Sequence, residues 1–390
     1  MNEVFISMPL RTAIGKFGGS LKDIPAPEIA GKVINKILEE TELPPDAFDD
    51  VVLGNVIQAG EKMNAARQAA IYGGISDSVP AMVVNRVCGS GLQAVVTATM
   101  EIQSGYASCV LAGGMENMDK APYVMPNGRY GARMGDTTLY DAMLLDGLND
   151  AFTGKHSGFI TDEYLVPKYG VTREEQDQFA YESHMKAAKA IQEGKFSSQI
   201  VPIQVSKDLV FQVDENVRPD TTLEKLAKLR PAFKEGGTIT AGNAPSLNSG
   251  AAAMVLSTEE VANKFNLPVF GRILSYAVSA VDPNYFGIAP IPAVKNALER
   301  ASLSIDDIDL FEINEAFAAI AIVVQRELGI PDEKLNVNGG AVALGHPIGA
   351  SGAMLVTKIL HELRHRQAKL GCVSLCIGGG QGIALIVERV

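Results

Sequence analysis

Short apolar runs alternate along the chain with stretches whose apolar positions recur at helical spacing, the pattern of an α/β protein. "VVLGNV" (51–56), "AMVVNRV" (81–87) and "CVLAGG" (109–114) read as strands. Between the last two, Leu92, Val95, Val96 and Thr99 fall on one helical face. Pro27 suits a helix start and Gly105 a helix end.

The pattern also repeats, and the repeat changes the expected fold. "CGSGLQAVVTATMEI" is echoed by "GASGAMLVTKILHEL", so that Ser90-Gly91 corresponds to Ser351-Gly352. "CVLAGGMEN" is echoed by "SLCIGGGQG", which requires a longer linker in the second copy, assigned to "RHRQAKLG". Upstream, "LPPDAFDDVVLGN" and "LSIDDIDLFEIN" match with a one-residue slip. Three pieces in one order predict two duplicated α/β halves.

A segment of different character, 118–246, separates them. Its strong element is a helix over 172–193, opened by the capping box "TREE" and closed by Gly194. The remainder reads as irregular, and a loop region of this length usually serves as a lid or ligand platform. The expected division is 1–117 with 247–269 as the first half, 118–246 as an inserted loop domain, and 270–390 as the second half.

Composition narrows the function classes. The 390 residues exceed one comfortable core, and 47% hydrophobic against 20% charged residues is ordinary for a globular protein. A net charge of −11 argues against a broad nucleic-acid surface. No apolar run is long enough to span a bilayer, and no signal peptide is apparent at the N-terminus. Cys88, Cys109, Cys372 and Cys376 do not make a disulfide framework in so long a chain, so a cytoplasmic location is expected.

Chemistry concentrates at four turns. Cys88 falls between a strand and a helix N-terminus, where the helix dipole favours a thiolate; a small core cysteine has the same sequence appearance. His346, in "LGHPIGASG", takes the place of Asn85 in the repeat and so faces the same crevice, as a base for a thiol or as a helix cap. The closing "CIGGGQG" has no helix after it, so its glycines make a tight turn with free N–H groups rather than a dinucleotide fingerprint. Cys376 enters that turn, and strand alternation puts it on the same face as Cys372. Asn314, at a strand-to-helix junction with Glu315, can donate to a developing oxyanion or cap a helix. His184, His361 and His365 are expected on solvated helical surfaces, and Cys109 in the core.

"NRVCGSG", "NEAFA", "GHPIGASG" and "CIGGGQG", together with "GGMENM" and "TITAGNAPSLNSGAAA", resemble the thiolase family in order and spacing over essentially the whole chain. The resemblance implies two similar halves in a five-layered αβαβα arrangement, with a loop domain inserted in the first, and a homotetramer or homodimer. It implies that Cys88 is the nucleophile that carries the acyl group, His346 the base that activates it, and Cys376 the base for the α-proton. Asn314, through a water, and His346 would form one oxyanion site, and the N–H groups of Cys88 and Gly378 the other. His156, Leu148 and Arg218 match contacts to coenzyme A, with Lys225, Lys228 and Arg230 extending a basic patch. Phe233, Ala316 and Phe317 match the substrate tunnel.

The implied reaction interconverts two acetyl-CoA with acetoacetyl-CoA and CoA, without metal or other cofactor. Some residues depart from the acetoacetyl pattern. Ser157 and Phe286 stand where methionines are usual, and Pro245 replaces a pantetheine-contacting serine, leaving Ser246 to substitute. Arg86 and Gln93 lean toward 3-ketoacyl-CoA thiolases of fatty-acid breakdown, whereas His156 leans toward acetoacetyl enzymes. A thiolase-like acyl-CoA binder without turnover is a further reading, disfavoured because all four reactive residues are present. A ketosynthase of the same fold would carry a second histidine where this chain has Cys376.

Overall fold

Largely buried strands on both sides of buried helices organise the chain, described for residues 2–390 in a computed structural model. The first half supplies strands β1 (Phe5–Thr12), β2 (Asp50–Gly54), β3 (Ala81–Val84), β4 (Cys109–Asn117) and β5 (Asn248–Ser257). The second supplies β6 (Val269–Ala280), β7 (Leu310–Ile313), β8 (Leu370–Ile377) and β9 (Gln381–Arg389). Their order across the sheet is β7-β8-β9-β6-β1-β5-β4-β2-β3. Each half alone runs in the same sequence, and the edge strands β1 and β6 pair antiparallel to join the halves into one continuous ladder.

Three apolar clusters define five layers. Helices α1 (Ala26–Thr41) and α2 (Ala65–Tyr72) pack on the outer face of the first half. Helices α5 (Pro290–Ala301) and α6 (Ala318–Leu328) do the same for the second. Between the halves lie α3 (Ser90–Gln103) and α7 (Ser351–Arg366), whose apolar side chains join those of both inner sheet faces. That is the αβαβα arrangement implied by the resemblance. The central helices meet at the repeated Ser-Gly pairs. A Cβ on Gly91 would sit 2.9 Å from the Ala353 nitrogen and the Gly349 oxygen, and one on Gly352 would strike the Leu92 nitrogen. Only glycine permits this approach, which brings both helix N-termini to one place.

The structure redraws the repeat in two respects. Asp49 Oδ2 accepts from the Ser108 and Cys109 N–H groups, and Asp309 Oδ2 accepts likewise from Lys369 and Leu370. Asp49 is thus the twin of Asp309 and Cys109 of Leu370, with no slip upstream. The twin of "CVLAGGMEN" is therefore Leu370–Gly378, and no longer linker exists in the second copy; "RHR" is simply the last turn of α7. Where β8 returns to β9 through Gly378, Gly379 and Gly380, β4 returns to β5 only after the whole inserted segment.

Within that segment, α4 (Arg173–Gln192) begins with the expected capping box: Thr172 accepts from the Glu175 N–H while Glu175 accepts from the Thr172 N–H. The expectation for two histidines fails. His184 and His361 are buried, not solvated. His184 Nδ1 accepts the Arg218 N–H at 3.1 Å, and His361 Nε2 lies 2.9 Å from the Pro9 carbonyl oxygen. Their helices carry charge on one side and buried side chains on the other, and these histidines fall on the buried side. His365 is exposed and Cys109 is core, as the pattern suggests.

Candidate active site

Cys88 occupies the turn between β3 and α3. The residue before it, Val87, has φ 45°, a left-handed conformation that a β-branched side chain adopts only under constraint. The constraint is visible: Ser90 Oγ donates to the Val87 carbonyl at 2.6 Å and accepts the Arg86 N–H at 2.9 Å. The turn presents Cys88 half-buried against an apolar wall that includes Val56, Ile57, Met143, Leu148 and Ile348. Enclosure pushes its thiol up to about 11, against a smaller pull from the Gly378 N–H. The resting group is therefore the thiol, and any attack by this sulfur needs a base.

His346 is buried, and its hydrogen bonds assign its tautomer. Ser351 Oγ donates its single proton to the Pro347 carbonyl at 2.9 Å, so the 2.6 Å contact to His346 Nδ1 is a donation from the ring. Nε2 then carries the lone pair and accepts from Asn314 Nδ2 at 3.3 Å. Burial lowers the imidazole to about 4, which keeps it neutral at ordinary pH. Once Nε2 takes a proton it becomes a donor beside the Asn314 amide, and the two form a pair suited to an oxyanion. Neither residue is a helix cap: α6 begins after Phe317 and α7 after Ala350.

Cys376 ends β8 with Cys372 on the same outward face, as strand alternation requires. Burial, and then the charge of Cys88, hold the Cys376 thiol far above its ordinary range. The Cys88 turn packs on the end of β8: a Cβ on Gly89 would lie 2.5 Å from Ile377, and one on Gly378 would lie 3.8 Å from Val87. Gly379 and Gly380 both have positive φ (84° and 89°), which shapes the turn that offers the Gly378 N–H to Cys88.

The expected substrate contacts divide into two groups. His156 stacks on Phe233 with ring centroids 4.2 Å apart, and Phe233 meets Phe317 edge-on at 5.9 Å, with Ala316 and Phe286 in the same apolar cluster. His156 Nδ1 accepts the Gly158 N–H, and burial lowers its imidazole to about 4. A Cβ on Gly158 would strike Phe233, so the "HSG" glycine sets how closely this aromatic wall packs. Arg218, Lys228 and Arg230 are exposed, and Lys225 is tied to Asp220 at 2.7 Å. Ser246 donates to Asn216 Oδ1 at 2.6 Å and accepts from Asn248 Nδ2 at 3.1 Å, which leaves its hydroxyl little free capacity.

Asn248 is absent from the sequence reading. Its Oδ1 accepts the His346 N–H at 2.7 Å, and its Nδ2 donates to the Gly15 carbonyl at 3.0 Å. A Cβ at Gly345 would lie 2.6 Å from the Asn248 amide carbon, so glycine and asparagine fit as a unit. The available signal was "SLNSG", one of the blocks that carried the resemblance without a role.

Residues 4–260 match the thiolase N-terminal domain and residues 267–389 the thiolase C-terminal domain. The chain is a thiolase. It is 52% identical to an acetyl-CoA acetyltransferase of Pseudomonas aeruginosa, with all of both chains covered. It is 49% identical to one of Cupriavidus necator over the same extent. A probable acetyl-CoA acyltransferase of Staphylococcus epidermidis is 49% identical over all of this chain and 99% of its own. Among solved structures, the acetyl-CoA acetyltransferase of Bacillus anthracis superposes on this thiolase with a TM-score of 0.97. It is 43% identical and covers 100% of this chain and 99% of its own. Among the described residues of this thiolase, no helix is long and apolar enough to cross a membrane, and no His, Cys, Asp or Glu cluster could hold a metal ion.

Proposed function

We propose that this thiolase interconverts two acetyl-CoA with acetoacetyl-CoA and free CoA through an acetyl group carried on Cys88. The observation that carries the reading is the crossing of α3 and α7, which packs the turn after Cys88 against the turn after His346, whose ring is bonded to Asn314, and against the end of β8 beside Cys376. His346 Nε2 takes the Cys88 proton while the sulfur attacks the acetyl-CoA carbonyl. The oxyanion rests on the N–H groups of Cys88 and Gly378. The carbon–sulfur bond to CoA then breaks, and Cys376 gives its proton to the departing CoA sulfur.

That transfer leaves Cys376 as a thiolate, made strongly basic by burial. It takes the α-proton of the second acetyl-CoA, whose enolate oxygen rests on Asn314 and protonated His346. The enolate carbon attacks the Cys88 thioester, and His346 returns its proton to Cys88 as the carbon–sulfur bond breaks. Every proton is restored, and no cofactor enters. His156, Phe233 and Phe317 line the approach, with Leu148, Arg218 and Ser246 toward the CoA side.

The names of the Pseudomonas and Cupriavidus relatives support the two-carbon reaction over a broad 3-ketoacyl specificity. Assays across acyl-CoA chain lengths decide. Condensation of acetyl-CoA and brisk thiolysis of acetoacetyl-CoA are expected, with thiolysis falling about tenfold or more for long 3-ketoacyl-CoA. No two-carbon condensation, with brisk cleavage of longer substrates, would overturn the assignment.

A homotetramer or homodimer in the cytoplasm completes the reading. Tyr123, Tyr130, Met134, Leu139 and Tyr140 are exposed together on the inserted segment, and apolar surface of this kind marks an association face. Sedimentation is expected to show the assembled form at micromolar concentration. A monomer there would exclude it.

A further inference from the structure

The acidic residue of "GGMENM" has no part in the reaction written above, yet it occupies an unusual place. Glu116 lies near the end of β4, fully buried. The Asp49 and Asp309 bonds make its repeat twin Ile377, which contributes to the central apolar core. The fold therefore accepts hydrocarbon at this position, and a carboxylate there has to be offset by hydrogen bonds.

Four donors supply them, from two separate turns. Oε2 accepts the Val56 N–H at 3.1 Å and the Gly349 N–H at 2.9 Å; Oε1 accepts the Ile57 N–H at 3.2 Å and Asn55 Nδ2 at 3.3 Å. Gly349 closes the His346 turn. Val56 leads to the other turn: its carbonyl accepts Asn85 Nδ2 at 3.3 Å, and Asn85 Oδ1 accepts the Val87 N–H at 2.9 Å, one residue before Cys88. A single carboxylate thus joins the segment behind the nucleophile to the segment behind its base.

We propose that Glu116 is a positioning residue that holds the Cys88 and His346 turns in one fixed relation. The inference rests on the roles given above to Cys88 and His346. The titratable groups facing Glu116 are Glu61, from the loop after β2, and Cys88, with Cys376 beyond it. All are acids. Burial, followed by the charge of Glu61, pushes Glu116 up to about 8, while its backbone donors pull it down. Its charge is therefore present at pH 9 and largely absent at pH 6.5. Enclosure is the main cause that raises the Cys88 thiol, and the Glu116 charge adds only a minor push in the same direction.

Glu116→Gln keeps the shape, removes the charge and turns one acceptor into a donor facing N–H groups. Two rates are expected to respond differently. Turnover with acetoacetyl-CoA and CoA should fall about 100-fold through misplacement of the turns, with KM for CoA little changed. Alkylation of Cys88 by iodoacetamide should stay within about twofold of wild type, since the thiol keeps its enclosure. A general loss of structure would raise alkylation and KM together and would overturn the positioning role, as would wild-type turnover in Glu116→Gln. If Glu116→Gln does not fold, Glu116→Asp carries the test: alkylation as in wild type, but turnover down about tenfold or more because the shorter side chain cannot reach both turns. Wild-type turnover in Glu116→Asp overturns the clamp. Mass spectrometry of the wild-type protein with acetyl-CoA separates the two readings, since no adduct on Cys88 refutes the underlying mechanism and an adduct leaves only Glu116 in question.

Discussion

Cys88→Ala is expected to show no acetyl adduct after incubation with acetyl-CoA and to lose both condensation and thiolysis by about 10⁴-fold or more. The size follows from the chemistry. Without a sulfur there is no acyl carrier, and neither oxyanion site has an intermediate to stabilise. Nothing else in the turn depends on the side chain, because Val87 is held by Ser90 and Asn85 and the cysteine itself is half-buried. The variant should therefore keep its fold and its affinity for CoA. Mass spectrometry checks the first expectation and circular dichroism the second. Acetylation on some other residue with retained turnover would transfer the nucleophile's role elsewhere.

Cys376→Ala is the complementary case. Acetyl transfer to Cys88 should survive in weakened form, because His346 and the Gly378 N–H remain and water or buffer can protonate the departing CoA sulfur. Exchange of the acetyl-CoA methyl protons with deuterated solvent should fall by about 10³-fold, and condensation with it, since the proposed base for the α-proton is gone. Normal exchange in this variant would assign the α-proton to another base, with His346 the first candidate. Together the two variants separate acyl transfer from carbon–carbon bond formation.

Much of this site was legible in the chain because the candidate residues lie on or next to turns whose flanking elements have strong periodicity. Cys88 was marked by the apolar run before it and the helix after it, and Cys376 by the glycines that could not open a helix. His346 came from the repeat, which survived even though its alignment was wrong in detail. The glycine-rich pieces attracted one another across unlike structure: "AGG" belongs inside β4, whereas "GGG" is a turn after β8. The paired Asp49 and Asp309 bonds, which set the true correspondence, run from side chain to backbone and leave only a common aspartate in the sequence.

His184 and His361 were misplaced for a related reason. Charged neighbours along a helix describe its average face, and a single buried histidine bonded to a distant main chain leaves no periodic trace. Asn248 and Glu116 were quoted as letters of a motif without a role, because each acts on backbone atoms of segments far away in the chain. Val87 gives no sign at all of its strained backbone.

A duplicated chain offers two places where such chemistry could arise, one at the N-terminus of each central helix. Gly349 is the twin of Cys88, so its N–H is the counterpart of one oxyanion donor, and that donor is already committed to Glu116. The counterpart of the three-glycine turn is gone as well, since the inserted segment begins where that turn would stand. The first half carries Cys88 and the inserted segment, whereas the second carries Asn314, His346, Cys376 and the three-glycine turn. In the proposed reaction one acyl group per chain follows from this broken symmetry, and a second centre could not be restored by a single cysteine at position 349.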